Sequence, residues 1–560
     1  DWLVIGVFFL ALIGIIVWVV RQKQNDSADY FLGGRDATWL AIGASIFASN
    51  IGSEHLIGLA GAGASSGMAM AHWEIQGWMI LILGWVFVPF YSRSMVYTMP
   101  EFLERRYNPQ SRTILSVISL VSYVLTKVAV TVYAGGLVFQ QVFGIKELWG
   151  IDFFWIAAIG LVVLTALYTI FGGMKSVLYT SVLQTPILLL GSLIILVLGF
   201  KELGGWDEMM RVCGAVTVND YGDTMTNLIR SNDDANFPWL GALIGSAIIG
   251  FWYWCTDQFI VQRVLSGKNE KEARRGTIFG AYLKLLPVFL FLIPGMIAFA
   301  LHQKYIGAGG EGFLPMLANG TANADAAFPT LVAKLLPAGV KGLVVCGILA
   351  ALMSSLASLF NSSAMLFTID FYKRFRPETP EKKLVGIGQI ATVVIVILGI
   401  LWIPIMRSVG DVLYTYLQDV QSVLAPGIAA AFLLGICWKR TSAQGGMWGL
   451  IAGMIIGLTR LGAKVYYSNA GEVADSTFKY LFYDMNWLFF CGWMFLFCII
   501  VVIVVSLATE APTAEKIQGL VFGTATKEQK AATRASWDHW DIIHTVIILA
   551  ITGAFYWYFW

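Results

Sequence analysis

The sequence predicts an all-α polytopic membrane protein with about 14 transmembrane helices, ten of them forming two inverted five-helix repeats. Three observations carry that expectation. Hydrophobic residues fill 58% of the 560 positions and charged residues only 13%, with a mean hydropathy of +0.71, a balance that a soluble domain of this length does not tolerate. Apolar runs of about 20 residues recur along the chain, and lipid, which offers no partner to an unpaired peptide group, admits such runs only as helices. Two runs, five helices apart, are interrupted by glycine and polar residues, the pairing expected of a transporter built from repeats.

The first span, Trp2–Val20, is uniformly apolar and ends in Arg21-Gln22-Lys23-Gln24 with no small-residue cleavage site, so it reads as a membrane helix with residues 1–37 as its unit. Residues 38–200 hold the first repeat, with spans predicted at Leu40–Gly61, Ala69–Tyr91, Ile114–Phe143, Asp152–Ile170 and Ser176–Phe200. A polar stretch, 201–238, reads as an exported loop with short helices. The second repeat, 239–437, has spans at Trp239–Gln262, Thr277–Leu301, Lys341–Phe367, Val385–Ile405 and Leu413–Cys437, with another exported loop over 302–329. Residues 438–508 supply two peripheral spans, one with a short apolar core at Met447–Thr459 that is expected to run on to either side and another at Trp487–Leu507. Residues 509–538, charged and rich in Ala, Thr and Lys, read as a cytoplasmic linker, and 539–560 hold the last span, Trp540–Tyr558.

If the spans alternate sides, most of the 37 Lys and Arg fall in the connections on one face, which marks it as cytoplasmic. Residues 1 and 560 are then expected outside a plasma membrane, the inner membrane if the source is bacterial. Only Lys127 and Lys284 fall inside spans. The six cysteines are scattered and read as small core residues. No phosphate-binding loop, nucleophile with His and acid partners, or metal-ligand cluster is legible, so neither an enzyme nor a cofactor is indicated. A net charge of +2 gives no reason to expect nucleic acid.

The first interruption, "FASNIGSEHLIGLAGAGASSG" (47–67), puts Asn50, Glu54, His55 and five glycines in an otherwise apolar run. Polar groups at membrane depth face a cavity or a partner, and glycines let a helix unwind where its freed carbonyls can be used. Close helix packing would account for Gly61, Gly63 and Gly67, but not for Asn50 and His55. The second interruption is "GFWYWCTDQF" (250–259). Glu74 and Lys284 are ionisable groups in spans that carry almost none, and serve either a site or a structural ion pair. Ser354, Ser355, Ser358, Asn361 and Ser362 form a polar stripe at helical spacing, free to reach a ligand or to bond back to their own helix.

These segments, together with "HWEIQGW", "YTMPEFLERRY", "ALYTIFGGMKSVLYTSVLQT", "FWYWCTDQFIVQRVLS", "GAYLKLLP", "LAALMSSLASLFNSSAMLFTIDFY" and "LAPGIAAAFLLGICWKRT", resemble the sodium/glucose cotransporters of the solute:sodium symporter family, from about Tyr30 to Leu450. The resemblance implies a ten-helix core of the leucine-transporter type, with one helix before it and three after. It implies a sodium site built from the carbonyls of Ala48, Ile51 and Ala351 and the hydroxyls of Ser354 and Ser355. It implies a sugar site of Asn50, His55, Glu74, Tyr253, Trp254, Lys284 and Gln418, with Tyr253 as inner gate and Trp73 and Tyr414 at the outer gate. A neutral monosaccharide, glucose or galactose, is the expected solute, with myo-inositol, a sialic acid or an amino acid as the alternative. One chain is expected to suffice for transport, and Glu54 has no assigned role.

Departures from the family pattern narrow this picture. Ser181 replaces the Asp, and Ala357 the hydroxyl residue, of a second sodium site, so one sodium per cycle is expected. Gly250 stands where sugar carriers have Asn or Thr, and Gly77 where one has Ser, which removes two hydrogen-bonding groups.

Overall fold

The computed structural model describes residues 1–560 except 23, 25, 53, 318–319, 407–412 and 470–473, with backbone only at 125–126, 141, 405–406, 413–417 and 468–469. α1 (Trp2–Val20) buries one stripe, Ile5, Phe8, Leu12 and Val19, and leaves the rest of its apolar surface exposed, as a lipid-facing helix does.

The second predicted span consists of two pieces. α2 (Trp39–Asn50) stops where Ile51 turns extended (φ −81°, ψ 103°), and the chain resumes as a π-helical turn over Glu54–Leu59 that leads into α3 (Ala60–Ser66). The helix thus outlasts the expected end at Gly61. α4 (Gly77–Ile82) continues through a π-helical turn to Ser94. α5 (Pro109–Ser122) and α6 (Ala129–Phe143) are joined by another, Tyr123–Val128.

A two-stranded antiparallel hairpin, 147–148 with 151–152 in the register Glu147↔Asp152, leads into α7 (Phe153–Leu203). This 51-residue element is two spans that meet at Gly173 (φ 53°, ψ −148°). A β-carbon there would lie 2.4 Å from the Tyr30 carbonyl oxygen, so conformation and space both require glycine.

In the second half, α8 (Trp239–Gly250) passes through a π-helical turn, Phe251–Thr256, breaks at extended Asp257, and resumes as α9 (Gln258–Leu265). There follow α10 (Glu270–Lys284), a π-helical turn over Val288–Leu292, and α11 (Ile293–Gly307). The core then continues with α12 (Val340–Met365), α13 (Glu381–Met406) and α14 (Leu413–Cys437). α15 (Ala443–Asn469), α16 (Trp487–Ala508) and α17 (His539–Tyr558) complete the chain. Among the described residues eleven helical stretches are long and apolar enough to cross a membrane. α7 supplies two of the expected spans, and the short α2 and α6 belong to the remaining ones. α15 extends the Met447–Thr459 core on both sides, as expected, and Arg460 and Lys464 lower the hydropathy of a helix that continues regardless.

Helix packing uses close backbone approach. A β-carbon at Gly63 would lie 2.2 Å from the Leu292 carbonyl oxygen, and one at Gly295 1.9 Å from that of Ala60, so α3 and α11 touch main chain to main chain.

Segment 509–538 is more than a linker. It holds two short helices, Ala514–Ile517 and Lys527–Ala535, the second opened by a capping box of Thr526 and Gln529. Lys516 Nζ donates to the Glu104 carbonyl (2.8 Å), Phe522 N to that of Ile436 (2.9 Å), and Arg93 Nη2 to Thr533 Oγ1 (2.7 Å). Arg275 pairs with Asp538 (2.7 Å) and Asp541 (3.0 Å). The charged composition that marks a loop thus supplies the bonds that fasten this segment across spans of both halves.

Candidate functional site

Where the interruptions after α2 and α8 face one another, they enclose a cavity of about 50 Å³ with α6, α10, α12 and α14. The lining includes Asn50, Glu54, His55, Trp73, Glu74, Gln76, Lys127, Tyr253, Trp254, Lys284, Ser355 and Gln418. Every residue of the expected sugar site is therefore at this one place. The Tyr414 side chain lies outside the described residues.

A polar chain runs along one wall. Lys284 Nζ stands 2.6 Å from Glu74 Oε2, His55 Nε2 is 3.4 Å from the same oxygen, and Asn50 Nδ2 is 3.4 Å from His55 Nε2. All four are at most 4% exposed. The Lys284 ammonium also lies 5.3 Å from the centre of the Trp254 ring. Gln418 is buried with its Oε1 lacking a protein partner, and Trp73 keeps Nε1 unpartnered while its ring stacks on Trp487 at 5.5 Å. An orphaned acceptor and an orphaned donor at a cavity wall are groups that a ligand can satisfy.

A second ion pair involves Lys127, which also lines the cavity. Lys127, on the π-helical turn between α5 and α6, meets Asp257 Oδ2 at 2.7 Å, and the Tyr123 hydroxyl donates to Asp257 Oδ1. The rings of Tyr253 and Phe259 lie 4.9 and 4.8 Å from the Lys127 ammonium. Lys127 is visible in the sequence as an intramembrane charge, but its partner is 130 residues away. Glu54 also faces this cavity, with Oε2 unpartnered.

The two glycine departures part company here. A β-carbon at Gly77 would meet the Ala281 carbonyl (2.9 Å) and Ile548 (3.4 Å), so position 77 faces helices α10 and α17 instead of the solute. The expectation that Gly77 removes a solute contact is corrected: its lack of a side chain serves packing. Gly250 does line the cavity. Gln76, which the sequence does not single out, lies beside it.

The residues expected to hold sodium lie at the contact of α2 with α7 and α12. The ladder of α2 ends with Ile51 N donating to the Phe47 carbonyl (3.0 Å), so the carbonyls from Ala48 to Ile51 lie at its open end. Ser354 and Ser355 are each 1% exposed, one turn beyond Ala351 on α12. Ser354 Oγ is 3.3 Å from Ser181 Oγ, Ser358 Oγ is 2.6 Å from Ser49 Oγ, and Ser362 Oγ donates to Gln262 (2.8 Å). The stripe therefore reaches across to neighbouring helices.

Residues 30–453 match the sodium:solute symporter family. The sodium/myo-inositol cotransporter 2 of Homo sapiens is 36% identical over 538 residues, covering 94% of this chain and 79% of its own. The sodium/myo-inositol cotransporter of Canis lupus familiaris is 37% identical over 547 residues, covering 93% and 75%. A sodium-coupled sialic acid symporter, solved substrate-bound and outward-open, superposes with a TM-score of 0.72 at 22% identity, covering 91% of this chain and 98% of the other; that likeness is one of fold.

Proposed function

The chain belongs to the sodium:solute symporter family, with a core of the leucine-transporter type, and from that premise we propose that its solute is a neutral polyol taken up with one sodium ion per cycle. The observation that carries this reading is the charge balance of the cavity: Lys284 is matched by Glu74 and Lys127 by Asp257, with Glu54 adding a further carboxyl. An anion such as a sialic acid needs a cation of its own, and both lysines of the described lining are already engaged. A polyol needs donors and acceptors for its hydroxyls and an aromatic wall for its C–H face, which Asn50, His55, Glu74, Gln418 and Trp254 supply. Glucose or galactose and myo-inositol meet this set equally well, and the family relatives named above favour keeping myo-inositol beside the hexoses.

In this mechanism sodium enters from outside and is held by the carbonyls of Ala48, Ile51 and Ala351 and the hydroxyls of Ser354 and Ser355. A monovalent cation is well served by such neutral oxygens at an unwound helix. Its binding orders the break after α2, where Asn50 and His55 complete the polyol site. Trp73 and Tyr414 close the outer side, the bundle rocks, and Tyr253 moves to release both ligands inward. One charge crossing about 100 mV contributes roughly 2.3 kcal/mol, and a tenfold sodium gradient about 1.4 kcal/mol more. Together they sustain solute accumulation of a few hundredfold. The setting is a plasma membrane, bacterial if the source is, with residues 1 and 560 outside.

The test is uptake of labelled glucose, galactose, myo-inositol and a sialic acid into proteoliposomes, with and without a sodium gradient. Sodium-driven accumulation of a neutral member, with the half-saturating sodium concentration raised about tenfold in Ser354→Ala, is expected. Accumulation of the sialic acid alone, or an unchanged sodium requirement in Ser354→Ala, overturns the solute and the ion site respectively.

A further inference from the structure

The amide of Gln76 occupies the room that Gly250 leaves. A β-carbon at position 250 would lie 2.6 Å from Gln76 Oε1 and 2.9 Å from both Cδ and Nε2, so any side chain there must displace the amide. Gln76 is 3% exposed, and both residues line the cavity. Its Nε2 donates to the Ser246 carbonyl at 2.8 Å, and its Oε1 accepts from Trp254 Nε1 at 3.1 Å. Ser246, Gly250 and Trp254 are spaced four residues apart and share one face of α8 and its π-helical extension, so a single side chain grips that face on either side of the glycine. A primary amide has two N–H donors and two acceptor lone pairs, and the helix takes one of each. One donor and one acceptor remain on a buried group at the cavity wall.

We propose that Gln76 is a specificity-determining residue of the transporter: it stands in for the side chain missing at 250, offers a donor–acceptor pair to a hydroxyl of the polyol, and holds the Trp254 ring beside Lys284. The assignment rests on the polyol reading above. It makes positions 76 and 250 a coupled pair, because an amide can reach this space from one helix or the other, but not from both. A site whose buried amide is built to bond a hydroxyl discriminates against a solute that lacks it, since the amide is then left unpaired.

The experiment measures uptake of the labelled polyol that the wild type prefers, and of its single-deoxy analogues, by the full chain in proteoliposomes. Gln76→Ala is expected to raise the half-saturating concentration about tenfold with little change in maximal rate, and to erase the discrimination against one particular deoxy analogue. Gly250→Ala is expected to do the same, because its methyl group evicts the amide. Gln76→Ala combined with Gly250→Asn returns an amide to the same space from the other helix, and should recover most of the affinity lost in Gln76→Ala. A Gly250→Ala protein indistinguishable from wild type overturns the assignment. So does a uniform loss of maximal rate for all analogues in both single variants, or a swapped variant that melts like wild type yet binds no better than Gln76→Ala. A wild type that accumulates none of the neutral polyols overturns the polyol reading and this assignment with it. A wild type that accumulates one, with selectivity unmoved in Gln76→Ala, overturns the assignment alone.

Discussion

Glu74 and Lys284 are the residues on which the site's electrostatics turn, and they act only as a pair. Each is almost fully buried, and their 2.6 Å contact offsets a desolvation that neither could bear alone. Removing one partner strands the other: Glu74→Gln is expected to lower stability by about 3 kcal/mol or more, read as a fall in melting temperature in detergent. The double change Glu74→Leu with Lys284→Met should regain most of that stability while uptake stays absent, which separates the pair's service to the solute from its service to the fold. This much was legible in the sequence, because ionisable groups stand out in spans that have almost none. Gln76 was not legible. A glutamine beside a glycine in "HWEIQGW" is unremarkable until the fold shows that its amide fills the gap at Gly250, 174 positions along the chain. Asp257 was hidden for a similar reason: only the fold places it under Lys127.

The breaks in α2 and α8 could be read from composition, whereas their form could not. Cavity residues sit on π-helical turns: Glu54 and His55 on Glu54–Leu59, Lys127 on Tyr123–Val128, and Tyr253 and Trp254 on Phe251–Thr256. A widened turn re-aims side chains without breaking the chain, and such turns gather at functional sites. No periodicity announces them, since one added residue per turn is set by the surrounding helices, not by local propensity. The glycines of α3 show the opposite case. The sequence left their purpose open between unwinding and packing, and the contact of Gly63 with Leu292 and of Gly295 with Ala60 identifies packing. Gly63→Val is accordingly expected to push α3 from α11 at a cost of about 1–3 kcal/mol, seen as a lower melting temperature. Gly160→Ala, with nothing within 4 Å of its new methyl group at a helical position that favours Ala, should melt no lower than the wild type.

For the molecule as a whole, hydropathy marks an all-helical membrane protein, with eleven stretches of the described residues long and apolar enough to span, and it says least where length and polarity diverge. α15 runs past its apolar core on both sides, as expected, but its basic residues dilute the apolar signal and hide where it ends. Segment 509–538 passed for a plain connection because composition reports solubility and is blind to docking; Lys516, Phe522, Thr533 and Asp538 in fact fasten it to spans of both halves. The matched lysines of the cavity have an electrical corollary. On the reading proposed above, a neutral polyol crosses with one sodium ion, and the paired charges of Lys284 and Lys127 return with the protein to their starting places, so the sodium ion is the one net charge moved per turnover. The protein should therefore behave as its own ammeter: in a voltage-clamped membrane the integrated current divided by the tracer delivered is expected to be one elementary charge per molecule, at every voltage and every solute concentration.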